Sequence, residues 1–157
     1  MRTLNLACGV DDKFGTDKLD WKSYGLDGIR IFDLNSLKPL PYESNTFDEI
    51  RFWNALQVMV YPQEVLEECH RILKPGGILD VSAMNSESLF YIFVQRIRDN
   101  PVRFGFKAKV DNGHTMGTFN IRMLANRLER AGFKNLEKQK DVKKWGFHAY
   151  VRIRCMK

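Results

Sequence analysis

Leu4-Asn5-Leu6-Ala7-Cys8-Gly9 is a short apolar run closed by a glycine. A glycine at such a point lets backbone approach a ligand closely, because no Cβ stands in the way. In an open parallel sheet, ligands settle beyond the carboxyl ends of strands where the winding reverses, so the run reads as a nucleotide-type turn. It lacks the G-x-G-x-x-G spacing of dinucleotide sites, which argues against nicotinamide chemistry. Cys8, Cys69 and Cys155 are odd in number and far apart, with no C-x-x-C or Cys/His ligand spacing. Reduced thiols and no metal site are expected. His70 falls on the polar side of a helical pattern, where solvation is expected. His114 sits in an irregular stretch, Asn112-Gly113-His114-Thr115-Met116-Gly117, and is the only histidine of that loop.

A glycine turn needs strands and helices to hold it, and the chain alternates between the two, as a layered α/β domain does. Residues 3–7 read as a buried first strand, 16–20 as a weak second, 29–32 as a third and 47–53 as a central one. Pro39 and Pro41 break the chain between the last two. Pro62 suits the first turn of a helix, and Val65, Leu66, Cys69, Ile72 and Leu73 follow at helical spacing. Pro75-Gly76-Gly77 ends that helix, 78–82 is the next strand, and 89–97 is a further helix. Residues 98–118 are irregular, with Pro101, Gly105, Gly113 and Gly117, and loops of that length are usually functional or mobile. Ile121, Leu124, Ala125, Leu128 and Ala131 mark an amphipathic helix stopped by Gly132. At the end, Phe147, Ala149, Val151, Ile153 and Cys155 alternate with His148, Tyr150, Arg152 and Arg154. That period of two predicts a half-exposed strand, paired with 134–142 as an antiparallel hairpin.

Taken in order, Leu4–Gly9, Gly15-Thr16-Asp17-Lys18-Leu19-Asp20, Asp33-Leu34, Leu40-Pro41-Tyr42, Asn45-Thr46-Phe47-Asp48-Glu49-Ile50, Asn54-Ala55-Leu56 and Glu67–Gly77 resemble the class I S-adenosylmethionine-dependent methyltransferases. The likeness is to the small group that opens with LNLGCG and skips a full first helix; it covers most of residues 3–80 and resumes at 119–136. It implies a Rossmann-like, doubly wound sheet, mostly parallel with a C-terminal antiparallel hairpin, in one domain over 1–157. It also implies S-adenosyl-L-methionine as cofactor. Under that resemblance Ala7, Cys8 and Gly9 form the loop beneath the methionine and ribose parts. Asp20 holds the ribose hydroxyls, which suits a carboxylate able to accept two O–H groups. Asp33 and Leu34 meet adenine, Asn5 takes the place of an acidic residue near the cofactor amine, and Asn54 faces the reacting methyl group. Read without the resemblance, Asp20 is equally a turn residue, Asp33 a loop cap and Asn54 a helix N-cap. Asp48 and the Lys74–Gly77 turn are structural in either reading.

The chain departs from the family pattern at Asn5, at Ala7 in place of a glycine, at Asp11 in place of another, and at Gln57-Val58 where Glu-His is common. The resemblance implies methyl transfer to an unidentified O or N acceptor, with His114 as the candidate base. Two other classes stay open: a non-catalytic relative that binds the cofactor, and a nucleic-acid binder using the basic end. Residues 1–133 carry 17 Lys/Arg and 17 Asp/Glu, while 134–157 carry eight basic and two acidic residues, the whole of the +6 net charge. Such an end suits an anionic partner, or is simply a solvated face. No apolar run approaches the roughly 20 residues that cross a bilayer, and the N-terminus has no signal-peptide flanks; a cytoplasmic protein without membrane partners is expected. The first strand begins at once, leaving little chain for a substrate lid, so an open pocket would take a bulky acceptor or be covered by a second copy.

Overall fold

Alternation along each strand decides which residues face the core, because successive side chains point to opposite sides of a sheet. The computed structural model describes residues 1–11, 13–85, 119–139, 142–144 and 147–157. Its strands are β1 (Thr3–Leu6), β2 (Asp17–Asp20), β3 (Ile29–Ile31), β4 (Phe47–Trp53), β5 (Leu73–Met84), β6 (Lys134–Lys138), β7 (Val142–Lys144) and β8 (Phe147–Met156), with helices α1 (Pro62–Ile72) and α2 (Ile121–Arg130). The sheet order is β3-β2-β1-β4-β5-β8-β6, with β7 folded back on β8. β1 to β5 run parallel, while β8 is antiparallel to both β5 and β6. This is the doubly wound, Rossmann-like order with antiparallel C-terminal strands that the sequence predicts. The winding reverses between β1 and β4, which puts the topological switch point beside the Ala7–Gly9 turn.

Register lines up one apolar face. Leu4 and Leu6 lie beside Ile50 and Phe52, these beside Leu79 and Val81, and these beside Cys155 and Ile153. All are essentially inaccessible to solvent. Leu66, Cys69 and Ile72 of α1 and Leu124 and Leu128 of α2 complete that core. The two helices touch, with Gln63 Nε2 donating to the Arg127 carbonyl at 3.4 Å. His70 is half-buried rather than freely solvated: its ring meets Phe133 edge-on at 5.2 Å, and Gly132 passes so close that an added Cβ would lie 3.0 Å from its Nε2.

The opposite face is polar. Asn5, Arg51, Asp80 and Arg154 form one row across β1, β4, β5 and β8, and Trp53, Ser82 and Arg152 form the next. Here the terminal strand differs from the hairpin expected of it. β8 does not merely pair with its sequence neighbour; it inserts between β5 and β6, so Arg152 and Arg154 meet the carboxylates of Asp80 and Glu49. Lys157 likewise donates to Asn45 Oδ1 and to the carbonyls of Arg71 and Leu73. Arg152, Arg154 and Lys157 of the basic end therefore have partners within the fold. At the amino edge, Asp48 accepts from Lys74 Nζ at 2.8 Å and from the Arg2 amide at 2.6 Å, the structural role expected of both.

Candidate cofactor site

β1 ends at Leu6 and the chain turns through two residues in the left-handed region, Ala7 at φ 53° and Gly9 at φ 56°. Glycine adopts that region freely, whereas an L-residue with a Cβ does so at a cost. The turn is held by Asp20, which is 3% exposed at the end of β2. Its Oδ2 accepts the Gly9 N–H at 2.8 Å and its Oδ1 accepts the Trp21 N–H at 2.7 Å. Each carboxylate oxygen keeps a further lone pair. From beneath, Asn5 Nδ2 donates to the Asp11 carbonyl at 3.2 Å, and the Asp11 N–H returns to the Cys8 carbonyl at 3.0 Å. Gly15 then runs so close to β1 that an added Cβ would sit 2.9 Å from the Asn5 nitrogen. Nothing in the composition marks Gly15 as special; its φ of 90° and this approach do.

The turn opens onto a cleft of about 550 Å³ lined by Ala7, Asp20, Trp21, Asp33, Leu34, Asn35, Val58 and Met59. Asp33 closes a tight turn, its Oδ1 accepting the Asn35 N–H at 2.9 Å. Asn35 Oδ1 in turn accepts the Val60 N–H at 2.8 Å, tying the loop after β3 to the segment after β4 across the cleft. Trp21 is 67% exposed at the rim and donates from Nε1 to the Tyr24 hydroxyl at 3.0 Å.

The sequence-predicted residues thus take distinct places. Ala7, Asp20, Asp33 and Leu34 share one cleft, and Gly9 is bonded to Asp20. Cys8 is buried beside them, and burial, with the Asp20 charge adding to it, pushes its thiol pKa up; a protonated, enclosed thiol is not a nucleophile. Asn5 braces the turn from behind. Asn54 is exposed at φ 55° and is not among the cleft-lining residues. It does not cap a helix either: Ala55 precedes the short 3₁₀ turn Leu56–Val58, and Asn54 Oδ1 accepts the Ser82 hydroxyl at 3.0 Å. Gln57 is buried, donating to the Asn54 carbonyl at 2.7 Å, so the residue standing where relatives have glutamate braces this junction. Trp21, Asn35, Val58 and Met59 are the cleft residues that sequence reasoning missed as site residues, although Trp21 and Asn35 directly follow residues it named. His114 lies outside the described residues.

Ala7 offers a direct check of the strain in the turn. A left-handed alanine costs roughly 1–2 kcal/mol, and the looser unfolded chain of a glycine variant takes back about 0.4–1 kcal/mol. Ala7→Gly should therefore raise stability by about 0.5–1 kcal/mol in urea titration; a loss of stability would show that the alanine methyl is held by packing.

A doubly wound sheet with an antiparallel strand inserted near its end, and a carboxylate-lined cleft at the switch point, is the architecture of class I S-adenosylmethionine-dependent methyltransferases. Residues 3–81 match the family model for the methyltransferase domain, and the chain belongs to that family. Among curated proteins it is 32% identical over 78 residues to a demethylmenaquinone methyltransferase of Geobacillus stearothermophilus, covering 50% of this chain and 32% of that one. It is 27% identical over 147 residues to a ubiquinone/menaquinone biosynthesis C-methyltransferase of Desulfotalea psychrophila, covering 87% and 55%. The chain thus spans about a third to about half the length of these two relatives. Among solved structures, a methyltransferase of Thermotoga maritima, described as a possible histamine N-methyltransferase, superposes with a TM-score of 0.69 at 18% identity, covering 99% of this chain and 82% of that one. A second, from Archaeoglobus fulgidus, gives 0.68 at 13% identity, covering 99% and 86%; at such identities the likeness is one of fold.

Proposed function

We propose that this chain is an S-adenosylmethionine-dependent methyltransferase of the LNLGCG-opening group, folded as one domain and working in the cytoplasm. The observation that carries the reading is the convergence of Asp20, Asp33 and the Ala7–Gly9 turn on one cleft, all inside the span matched to the family. The residues fit the group. The cleft has the usual size of a small-molecule site, its walls at Ala7, Leu34, Val58 and Met59 are apolar, and its two carboxylates can accept from hydroxyl and amino groups. Asp20 would hold the ribose hydroxyls, Asp33 the adenine amine, Leu34 the ring, and Asn54 would stand near the methionine end.

When bound, the cofactor supplies an electrophilic methyl group on a sulfonium. The protein's part is to hold a nucleophile in line with it, since positioning alone can remove much of a bimolecular barrier. We assign the acceptor as an oxygen or nitrogen nucleophile, with His114 as the base that takes its proton. Relatives named for C-methylation in quinone biosynthesis and for methylation of a benzoquinol make a quinol carbon the second acceptor to try. Calorimetry with S-adenosylmethionine should give a saturable one-to-one isotherm, and cofactor carrying a labelled methyl should pass label to a component of a cell extract or to an added quinol. Absence of binding would sink the reading. Binding without transfer to any acceptor would leave a cofactor-binding relative instead, and His114→Ala transferring at the full rate would retire the base.

A further inference from the structure

The structure assigns Arg51 as a positioning residue for the cofactor turn, acting through a stack with Phe14 and Trp53 on the polar face of the sheet. This rests on the cofactor reading above and adds a residue that touches neither cofactor nor acceptor. The segment from Cys8 to Gly15 forms no helix among its described residues, so helical hydrogen bonds do not fix its path. Its described attachments to the sheet are the Cys8 N–H on the Leu19 carbonyl at 3.4 Å, the contacts at Asn5 and Asp20, and Arg51, which alone among them reaches Phe14. The Arg51 guanidinium carbon lies 3.7 Å from the centroid of the Phe14 ring and 4.0 Å from that of Trp53. Its Nη1 is 3.6 Å from Asp11 Oδ2. Thus one side chain of β4 reaches both Asp11 and Phe14, on either side of residue 12.

The faces of the guanidinium matter more than its charge. The Asp11 carboxylate is half-exposed and 3.6 Å away, and an ion pair that open to solvent contributes little. Arg51 Nε is buried with no hydrogen-bond acceptor among the described residues, so the group is held by ring contacts rather than by a full set of hydrogen bonds. A flat guanidinium packs against aromatic rings in a way an ammonium cannot. Trp53 is itself fixed, with Nε1 donating to Asp80 Oδ1 at 3.2 Å and Arg152 stacked at 4.4 Å. The column therefore runs from rigid β5 and β8, through Trp53 and Arg51, to the turn that carries Gly9.

The test has two arms. Amide hydrogen exchange, which needs no ligand, should quicken about tenfold across residues 8–14 in Arg51→Met and in Arg51→Lys, while the amides of β4 and β5 keep their wild-type rates. Affinity for S-adenosylhomocysteine, measured well below the melting temperature, should fall about tenfold in Arg51→Met and in Phe14→Leu. It should fall no further in the double variant, and Phe14→Tyr should restore it. Unchanged exchange in the turn would overturn the assignment, as would losses that multiply in the double variant or full affinity in Arg51→Lys. A wild-type protein that fails to bind S-adenosylhomocysteine would refute the cofactor reading instead, and the exchange arm would still decide the role of Arg51.

Discussion

Arg152→Met is expected to lower stability by about 3–5 kcal/mol, the usual cost of leaving a buried charge without its partner. Asp80 is 2% exposed on the polar face of β5. Arg152 donates to it from Nε at 2.7 Å and again from Nη2, a two-pronged geometry that a planar guanidinium suits. The Arg152 pKa is raised chiefly by that hydrogen bonding to Asp80. Without the arginine, Asp80 keeps only the Trp53 indole N–H among these donors. The pair also joins β5 to β8, so its loss bears on the inserted strand. Replacing both partners, as Arg152→Met with Asp80→Leu, should recover most of the deficit, because apolar groups of similar volume often substitute for a buried ion pair without loss. Urea midpoints of the two variants check both statements. Equal, small losses in both would mean that water reaches the pair freely.

How much of this was legible beforehand follows from the range of the interactions. β4 spans Phe47–Trp53, the residues read as the central strand. α1 begins at Pro62, in the first-turn position expected of it. Both depend on local signals, a period of two and a proline with φ already set. α2 stops before Gly132 for the same kind of reason: that glycine has φ 96°. The first three strands came out one residue shorter at an end, where pairing rather than composition sets the limit. What the sequence could not reveal is which distant strand lies beside which. Alternation in 147–155 correctly sorts Val151, Ile153 and Cys155 to the buried side. It is silent on insertion between β5 and β6, and hence on Arg152 meeting Asp80, 72 residues away.

The site divides along the same line. That a glycine turn, Asp20 and Asp33 serve one cleft was suggested by family-like order along the chain. That Asn5 is engaged in bracing Asp11, that Asn54 pairs with Ser82 and that Gln57 supports Asn54 from inside are consequences of side-chain direction, which spacing does not encode. Two of the four missed cleft residues, Val58 and Met59, come from the turn after β4. There the chain departs from the Glu-His of relatives, so the resemblance offered nothing to carry over.

Asp20→Asn should weaken S-adenosylhomocysteine binding by about 100-fold, roughly 2.8 kcal/mol at a tenfold change per 1.4 kcal/mol, and Asp20→Ala should do at least as much. The sequence alone suggests an effect on the ligand with the fold intact. The structure adds a second job, because the same carboxylate satisfies the Gly9 and Trp21 amides. Asparagine keeps one acceptor and turns a donor toward the other amide, so one N–H is left facing an N–H. Alanine leaves both without a partner. An unsatisfied buried donor costs about 1–3 kcal/mol, so stability should fall by about that much in Asp20→Asn and by about twice as much in Asp20→Ala. Affinity should respond differently: under the proposed function the charge facing the ribose hydroxyls is lost in both variants, and hydrogen bonds to a charged group are the stronger kind. Calorimetry on Asp20→Asn, at a temperature where the variant is fully folded, separates the two jobs. Lost affinity in a folded variant assigns the carboxylate to the ligand as well as to the turn. A folded Asp20→Asn protein that binds as tightly as wild type would leave Asp20 as an anchor of the Gly9 turn alone, and the ribose would have to be held elsewhere.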